Sequence, residues 1–406
     1  MEKITRNNKY NKSVGTFQQI LLILFSIVTA LGSFNPLGIG SIEESANSSS
    51  PVALLIQGLF VISLLFLKKI RPSVSNETKV LVLFASFWVF TSFIQGINDV
   101  TIQFGVNCLK LCLCIVLFCK LPEFFYVKPR LLIISVLIFS LTCAGIAALF
   151  SLGLLDPFVL WSNGRASIFY ENPNSTSTRM MFSTLFILYI MFQNPLKWGF
   201  SRYYLLILIL PLLYTIMASG SRGSLIVVVF SIILYLLFMP SKKFSRKLGI
   251  IAITVLIVSG SILKLSENED FSIIKRLTAT VENEEDGGRT MLSAAALNIF
   301  LDNPVDGVGG IEFPLIMKKE YGFNLTVHNL YWYIAATSGL IGLLLFGVFV
   351  FMLLKLTWGK RGADPIGFVL LVAMLLIASK TGGILTYMIM WYVFSLSISF
   401  ATIKYK

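Results

Sequence analysis

The chain has 406 residues, of which 56% are hydrophobic and only 13% are charged, and its formal net charge is +13. An ordinary soluble domain carries roughly 25% charged residues, so this composition excludes a set of soluble domains despite the length. Apolar runs of about 20 residues, the length that crosses a hydrocarbon core of ~30 Å as a helix, recur along the whole sequence. We therefore expect an all-α polytopic membrane protein that forms a single integral membrane domain over residues 1–406.

Twelve apolar runs can be drawn in chain order, and each is a candidate transmembrane helix. They lie at 17–31, 51–67, 80–97, 104–119, 131–153, 176–193, 203–218, 222–239, 248–264, 329–354, 366–380 and 384–402.

The basic residues lie in alternate connections between these runs, as the positive-inside rule requires. The connections assigned to the cytoplasm contain Lys68, Lys69, Arg71 and Lys79; Lys120, Lys128 and Arg130; Lys197 and Arg202; Lys242, Lys243, Arg246 and Lys247; and Lys355, Lys360 and Arg361. The connections at 32–50 and 98–103, assigned to the outside, contain neither lysine nor arginine. This alternation predicts that both termini are cytoplasmic. It also accounts for much of the net charge, so no nucleic-acid partner is needed to explain it.

The connection at 265–328 is far longer than the others and is predicted to be a large external loop. It ends at the only histidine of the chain, His328. After Arg289, apolar residues recur at the i, i+3, i+4 spacing of one helix face, and Asn303 and Pro304 mark the end of the pattern. The apolar positions are Leu292, Ala295, Ala296, Ile299 and Phe300. We predict that this stretch is an amphipathic helix on the outer membrane surface.

Four arginines stand on the outer side, against the orientation rule: Arg165, Arg179, Arg222 and Arg289. The last three lie at predicted helix starts, where the helix dipole disfavours a cation. The same position favours an anion, and a guanidinium grips phosphate in a bidentate manner. These arginines are therefore candidate phosphate ligands. The alternative is that long basic side chains simply extend to the interface.

Two lysines fall inside apolar runs, and one histidine stands at the start of another. Lys110 and Lys380 are costly within a membrane unless they have a partner or a wet cavity, and a lipid phosphate is one candidate partner. His328 is the only side chain whose ordinary pKa lies near neutrality, and a helix start favours the neutral form that a general base needs. Asn329, which follows it, is a further candidate for binding the substrate. The alternatives are extension of the lysines to the interface and a merely hydrated histidine.

Several motifs of soluble transferases are absent from the sequence. It contains no Walker A loop, no strand-borne GxGxxG, no DxD-like acidic pair and no zinc-ligand spacing. Gly307–Gly310 follows a helix stop and predicts a tight turn rather than a phosphate loop. The acidic cluster at Glu282–Asp286 is predicted to be solvated rather than catalytic. We expect neither a nucleotide donor nor a metal.

Three segments resemble the bacterial O-antigen ligase and polysaccharide polymerase family. They are SGSRG at the start of an apolar run, GGRTMLSAAALNIFLDNPVDGVGGIEFP, and HNLYWYIAATSGLIG, which reads H-N-x9-G-x2-G. A weaker fourth segment is GRASIFYENPN. The family-like core extends over 203–354, and the first third of the chain resembles the family only in its hydropathy.

The resemblance implies a metal-independent, inverting glycosyltransferase with a GT-C-like helical fold and no cofactor. It acts at the outer face of the bacterial cytoplasmic membrane. Its donor would be a glycan on undecaprenyl pyrophosphate, and its acceptor a sugar hydroxyl on a glycan or a lipid-linked glycan. Arg222 and Arg289 match the family's functional arginines and His328 its histidine. A chain-length regulator and a flippase are the protein partners that the resemblance suggests.

Three functions stay open at this point. H-N-x9-G-x2-G suits ligases, whereas the shared glycine-rich segment fits either enzyme, and we favour a polymerase slightly. A flippase for lipid-linked oligosaccharides is the alternative from another class. Transporters tend to place polar groups near the bilayer midplane within repeated halves, whereas here the unusual charges crowd the outer edge.

Overall fold

The computed structural model describes residues 15–32, 51–67, 75–96, 102–162, 164–239, 288–323, 327–361, 364–380 and 384–403. Three features predicted from the sequence lie outside these residues: the span at 248–264, the first part of the large connection, and the acidic cluster at Glu282–Asp286.

Thirteen α-helices and one β-hairpin form the described part of the chain. The helices are α1 Thr16–Leu31, α2 Pro51–Leu65, α3 Ser75–Gln95, α4 Ile102–Val127, α5 Pro129–Ser151, α6 Pro173–Gln193, α7 Ile209–Ala218, α8 Arg222–Phe238, α9 Arg289–Asp302, α10 Gly309–Lys319, α11 Leu330–Trp358, α12 Ile366–Ala378 and α13 Met388–Thr402. The hairpin pairs β1 Val159–Ser162 with β2 Arg165–Ile168 in antiparallel register. Short 3-10 segments lie at Asp156–Phe158, Phe200–Leu208 and Ile384–Thr386.

The helical membrane class predicted from composition is confirmed. Four described helices, α3, α4, α5 and α11, are long and apolar enough to cross a membrane, and six shorter described helical segments are apolar too. Eleven of the twelve predicted spans coincide with helical segments of the described residues. The number of twelve crossings and the GT-C-like arrangement stay predictions. The small hairpin is an addition that the all-α expectation did not include.

Two helices, α6 and α13, form the centre of the bundle. Both are buried around their whole circumference, α6 from Thr176 to Met191 and α13 from Ile389 to Ala401. The α13 helix packs mainly against α4 and α12, and its Trp391 contacts Phe118 edge-on. Such packing holds helices together where lipid offers no hydrophobic driving force.

The predicted amphipathic helix is confirmed as α9. Its apolar positions Leu292, Ala295, Ala296 and Ile299 are buried, and Phe300 is half-buried. This face packs against α11, and its residues join one apolar cluster with side chains of α10. The apolar face of α9 therefore packs on protein, whereas the sequence pattern alone pointed to the membrane surface.

The tight turn expected at Gly307–Gly310 is confirmed as well. Gly307 and Gly309 adopt positive φ values of 72° and 78°. The helix α10, which starts at Gly309, was not predicted, because two glycines and Pro314 obscure its helical pattern.

The helix α11 is broken at Gly339, where φ is 58° and ψ is −160°. The break exposes backbone N–H groups, and the segment that follows α9 supplies their acceptors. Leu340 N–H donates to the carbonyl of Pro304 at 2.8 Å, and Ile341 N–H donates to that of Val305 at 3.2 Å. The segment between α9 and α10 is thereby bonded into α11.

Candidate functional site

An open cavity of about 390 Å³ brings together four of the cations singled out in the sequence. Arg165, Arg222, Arg289 and Lys380 all line it. They come from β2, the start of α8, the start of α9 and the residues after α12, so segments far apart in the sequence meet here. We call this the basic cavity.

The turn between α7 and α8 forms one wall of the basic cavity. Gly220 turns the chain with a positive φ of 62° after the last turn of α7. The hydroxyl of Ser221 donates to that of Ser224 at 3.1 Å, and Ser224 in turn lies 2.8 Å from the hydroxyl of Ser177 on α6. The first turn of α8, which includes Arg222, is therefore fixed against α6. Its N-terminal N–H groups add to the positive potential of the cavity.

Arg165 connects the hairpin to two other walls of the cavity. Its Nε donates to the carbonyl oxygen of Ser219 at 2.8 Å, and its Nη2 donates to Oδ1 of Asn174 at 2.8 Å. A Cβ on Gly220 would lie 2.9 Å from Cγ of Arg165, so the glycine allows the arginine to lie across the turn. Arg165 thus both contributes charge and joins the SGSRG turn to the start of α6.

Arg289 is placed by the packing of the helix that it begins. The apolar face of α9 is buried against α11, and the segment after α9 is bonded into the break at Gly339. Val308 N–H donates to the carbonyl of Ala336 at 3.0 Å, which adds a third bond between this segment and α11. The start of α9 is therefore held at the cavity by contacts made along its whole length.

Lys380 closes the cavity from the end of α12. Its backbone N–H donates to the carbonyl of Ile377 at 2.8 Å, and its side-chain Cγ would lie 3.5 Å from a Cβ on Gly223. A cation after the end of a helix is favoured by the helix dipole, so this lysine is stabilised locally as well as available to the cavity.

His328 precedes α11 and lies within electrostatic reach of two cavity arginines. Burial, followed by the charges of Arg289 and Arg165, lowers the pKa of His328 below its ordinary value near 6.5. The imidazole is therefore neutral at physiological pH, the form that accepts a proton. His328 is not among the described residues that line the basic cavity. Its connection to the site is therefore its electrostatic interaction with Arg289 and Arg165.

Asn329 has a structural role at the start of α11. Its Oδ1 accepts hydrogen bonds from the N–H groups of Tyr331 at 2.9 Å and Trp332 at 3.3 Å. It is therefore the N-cap of α11, and it fixes the direction in which the chain leaves His328.

The described residues that line the basic cavity have a strongly positive formal charge. Four cationic side chains line it, and the described lining residues include neither aspartate nor glutamate. Clustered cations repel one another in a partly desolvated cavity, and a multivalent anion removes that cost. The cavity is therefore suited to a ligand that carries two or more negative charges on adjacent groups.

The other two cations predicted to bind substrate lie elsewhere. Arg179 and Lys110 line a second cavity of about 640 Å³, together with Glu171. Arg179 is 4% exposed and forms a bidentate ion pair with Glu171 through Nη1, at 2.6 Å, and Nη2. The guanidinium of Arg179 is thus already neutralised by a carboxylate that the sequence analysis did not single out.

Polar side chains that the sequence analysis did not select complete the basic cavity. Asn174 and Thr178 on α6, with Ser221 and Ser224 beside Arg222, line it. Asn174 lies within the GRASIFYENPN segment, so the family resemblance was the signal that could have identified it. The serines and Thr178 carry no comparable signal, because single hydroxyl residues are common in apolar helices.

Comparison with known proteins identifies one family. Residues 205–347 match a family model described as O-antigen ligase. The matched region contains Arg222, Arg289 and His328, whereas Arg165 and Lys380 lie on either side of it. No curated protein matches the chain.

Proposed function

We propose that this chain, which carries an O-antigen ligase family domain over residues 205–347, is a glycosyltransferase of the cytoplasmic membrane. It transfers a glycan from undecaprenyl pyrophosphate to a sugar hydroxyl at the outer face of that membrane. The acceptor is a glycan or a second lipid-linked glycan. Between the two activities of the family, we favour polymerisation of repeat units over ligation.

The observation that carries this proposal is the basic cavity. Arg165, Arg222, Arg289 and Lys380 converge there, and the described lining residues contain no carboxylate. A pyrophosphate ester presents adjacent negative charges, and its charge grows as it leaves the sugar. Fixed cations therefore stabilise the transition state more than the ground state.

The proposed reaction is a direct displacement at the anomeric carbon. The acceptor oxygen attacks this carbon while the bond to the pyrophosphate oxygen breaks, and the electron pair of that bond leaves with the pyrophosphate. The proton of the attacking hydroxyl passes to the neutral imidazole of His328. Arg222 and Arg289 hold the departing pyrophosphate, and Arg165 and Lys380 add to the positive potential around it.

Single substitutions test these roles. We expect Arg222→Ala, Arg289→Ala and His328→Ala to lower glycan transfer by at least 100-fold in purified protein, while insertion into the membrane stays normal. The control is Lys318→Ala, which removes an exposed cation of α10 away from the cavity. Normal polymer formation by the Arg222→Ala or His328→Ala protein would refute the site assignment.

Deletion of the gene separates polymerase from ligase. A polymerase deletion leaves single repeat units on the lipid carrier, because they are no longer joined. A ligase deletion leaves long polymer on the carrier, because it is no longer transferred. We expect single repeats.

Transport of a lipid-linked glycan is the competing function. The converging cations support an enzyme, because they bind the anionic group that departs during transfer. Purified protein in detergent has no membrane across which to move a substrate. Turnover of lipid-linked donor under these conditions is the expected result, and its absence would favour the transporter.

A further inference from the structure

We propose that the second cavity binds the phosphate headgroup of a second lipid, with Lys110 as its cation. The identity of this lipid as the lipid-linked acceptor rests on the proposed function. The site itself rests on the position, charge and walls of the cavity, and we call it the Lys110 cavity.

The Lys110 cavity lies at the same end of the bundle as the basic cavity. Its walls include Gly32, just after α1, together with the first turns of α2 and α13 and the first part of α6. The start of α6 also forms part of the basic cavity. Lys110 is eight positions after the first residue of α4, which places it about 12 Å along the helix at ~1.5 Å per residue. That depth suits a lipid headgroup drawn slightly below the interface.

The described residues that line the Lys110 cavity have a net formal charge of +1. The ion pair between Glu171 and Arg179 cancels two of its three formal charges. The ammonium group of Lys110 has no hydrogen-bond or ion-pair partner among the described residues. A lysine at this depth is costly without a partner, and an anionic ligand in the cavity supplies one.

Arg179 is engaged by protein groups in the wall beside Lys110. Its Nη1 and Nη2 hold Glu171, and its guanidinium also interacts with the side chain of Tyr387, which lines the same cavity. Lys110 is therefore the cation that this wall offers to a ligand.

The remaining walls suit the tail of a lipid. Leu54 of α2, Leu113 of α4, and Met388 and Ile389 of α13 line the same cavity. A cation among apolar side chains matches a ligand whose charged head continues directly into hydrocarbon. A soluble anion such as free phosphate would leave these apolar walls without a partner.

One short segment separates the two cavities. Arg165 and Asn174 line the basic cavity, whereas Glu171 and Arg179 line the Lys110 cavity. Two headgroups would therefore lie on opposite sides of the chain that leads from β2 into α6. A transferase that joins two lipid-linked glycans needs this arrangement, because both lipids must present their sugars from the same side of the membrane.

Native mass spectrometry of the purified chain in detergent tests the proposal, with undecaprenyl pyrophosphate as the probe. We expect two bound lipids per chain at saturation. Lys110→Met and Leu113→Trp, which respectively remove the charge and fill the cavity, should each reduce the number to one. Lys110→Arg should keep two, and the exposed-site control Lys318→Met should also keep two.

Different outcomes overturn different statements. The Lys110 cavity would be refuted as a lipid site if Lys110→Met and Leu113→Trp both still bind two lipids. It would also be refuted if the wild-type chain binds only one lipid and Arg222→Ala loses it. Equal occupancy by phosphatidylglycerol would show a phospholipid site and refute the assignment to the acceptor. If Lys110→Met loses one lipid while Arg222→Ala and His328→Ala transfer glycan normally, the proposed function fails and the lipid site stands.

Discussion

His328 is the only histidine of the chain, and the charges of two arginines disfavour its protonated form. A single histidine can be assigned without ambiguity in an NMR titration when the purification tag contains none. We expect its pKa to lie below 6.5, because burial and the charges of Arg289 and Arg165 all oppose protonation. On acidification, the rate of glycan transfer should fall only when the pH drops through this lowered pKa, because the protonated imidazole cannot accept a proton.

The substitution Arg289→Gln tests the cause of the lowered pKa. It removes one of the two opposing charges, so the pKa of His328 should rise towards 6.5, and the acid limb of any residual activity should move upward with it. Lys318→Gln, which removes an exposed charge of the neighbouring helix, should leave the pKa unchanged. A histidine that titrates above 6.5 in the unmodified chain would contradict the assignment of a neutral base.

Arg165 provides a second test, because it has a bonding role as well as a charge. Arg165→Lys keeps the charge but cannot reach both the carbonyl of Ser219 and the side chain of Asn174. Hydrogen bonds from a charged donor contribute roughly 1.5–3 kcal/mol each, so a loss of about 2 kcal/mol in stability is expected together with weaker glycan transfer. Arg130→Lys, at an exposed arginine at the start of α5, is the matched control for thermal unfolding in detergent. Equal unfolding temperatures for the two variants would show that the bonds of Arg165 contribute little.

At the scale of elements, the break in α11 joins the two helices of the large connection to the rest of the bundle. Gly339 has a φ of 58° that a residue with a Cβ rarely adopts, and its added Cβ would overlap the backbone of Val305. Backbone strain of this kind costs about 1–3 kcal/mol, before the displacement of the Val305 segment is counted.

The substitution Gly339→Ala should therefore destabilise the chain and reduce glycan transfer, because α9 and Arg289 lose their anchor. Thermal unfolding in detergent and a transfer assay measure the two effects. Gly347→Ala on the same helix is the matched control. A Cβ there meets open space, and alanine favours a helix over glycine by up to about 1 kcal/mol. A Gly339→Ala protein as stable and active as Gly347→Ala would contradict the anchoring role.

The sequence predicted most elements of the fold and missed those that depend on distant partners. Hydropathy identified eleven helical segments of the described chain, because their apolar character is local. It missed α10, whose start is obscured by Gly309 and Gly310, and the break at Gly339, whose hydrogen-bond acceptors lie in the segment after α9. Neither feature has a signal within its own few residues.

Part of the candidate site was predictable, because arginines on the outer side of the membrane, against the positive-inside rule, can be recognised in a sequence. Arg165, Arg222 and Arg289 were identified in this way, Lys380 was identified as a lysine inside an apolar run, and all four lie around one cavity. Arg179 was grouped with them, but it is paired with Glu171 in the other cavity. The grouping of cations into two cavities is set by tertiary packing, which spacing along the chain does not encode.

At the scale of the whole molecule, the positive-inside pattern predicts which end of the bundle faces the cytoplasm. In a chain whose five cysteines have been replaced, a single cysteine at Ser162 in the hairpin should react with an impermeant maleimide in intact cells. A cysteine at Lys360, after α11, should react only after permeabilisation. Both positions are exposed. The reverse pattern would invert the predicted orientation and place the basic cavity in the cytoplasm.

The central position of α13 has a consequence for the order of assembly during synthesis. Tyr392 of α13 packs against Phe25 of α1 and Phe139 of α5, and Trp391 packs against Phe118 of α4. Helices made early by the ribosome therefore surround a space that is filled only when residues 388–402 have been translated. Lys380 and the walls that Met388 and Ile389 contribute also arrive at this late stage. A nascent chain can thus reside in the membrane, beside abundant lipid-linked glycan, with neither cavity complete until α12 and α13 have been inserted.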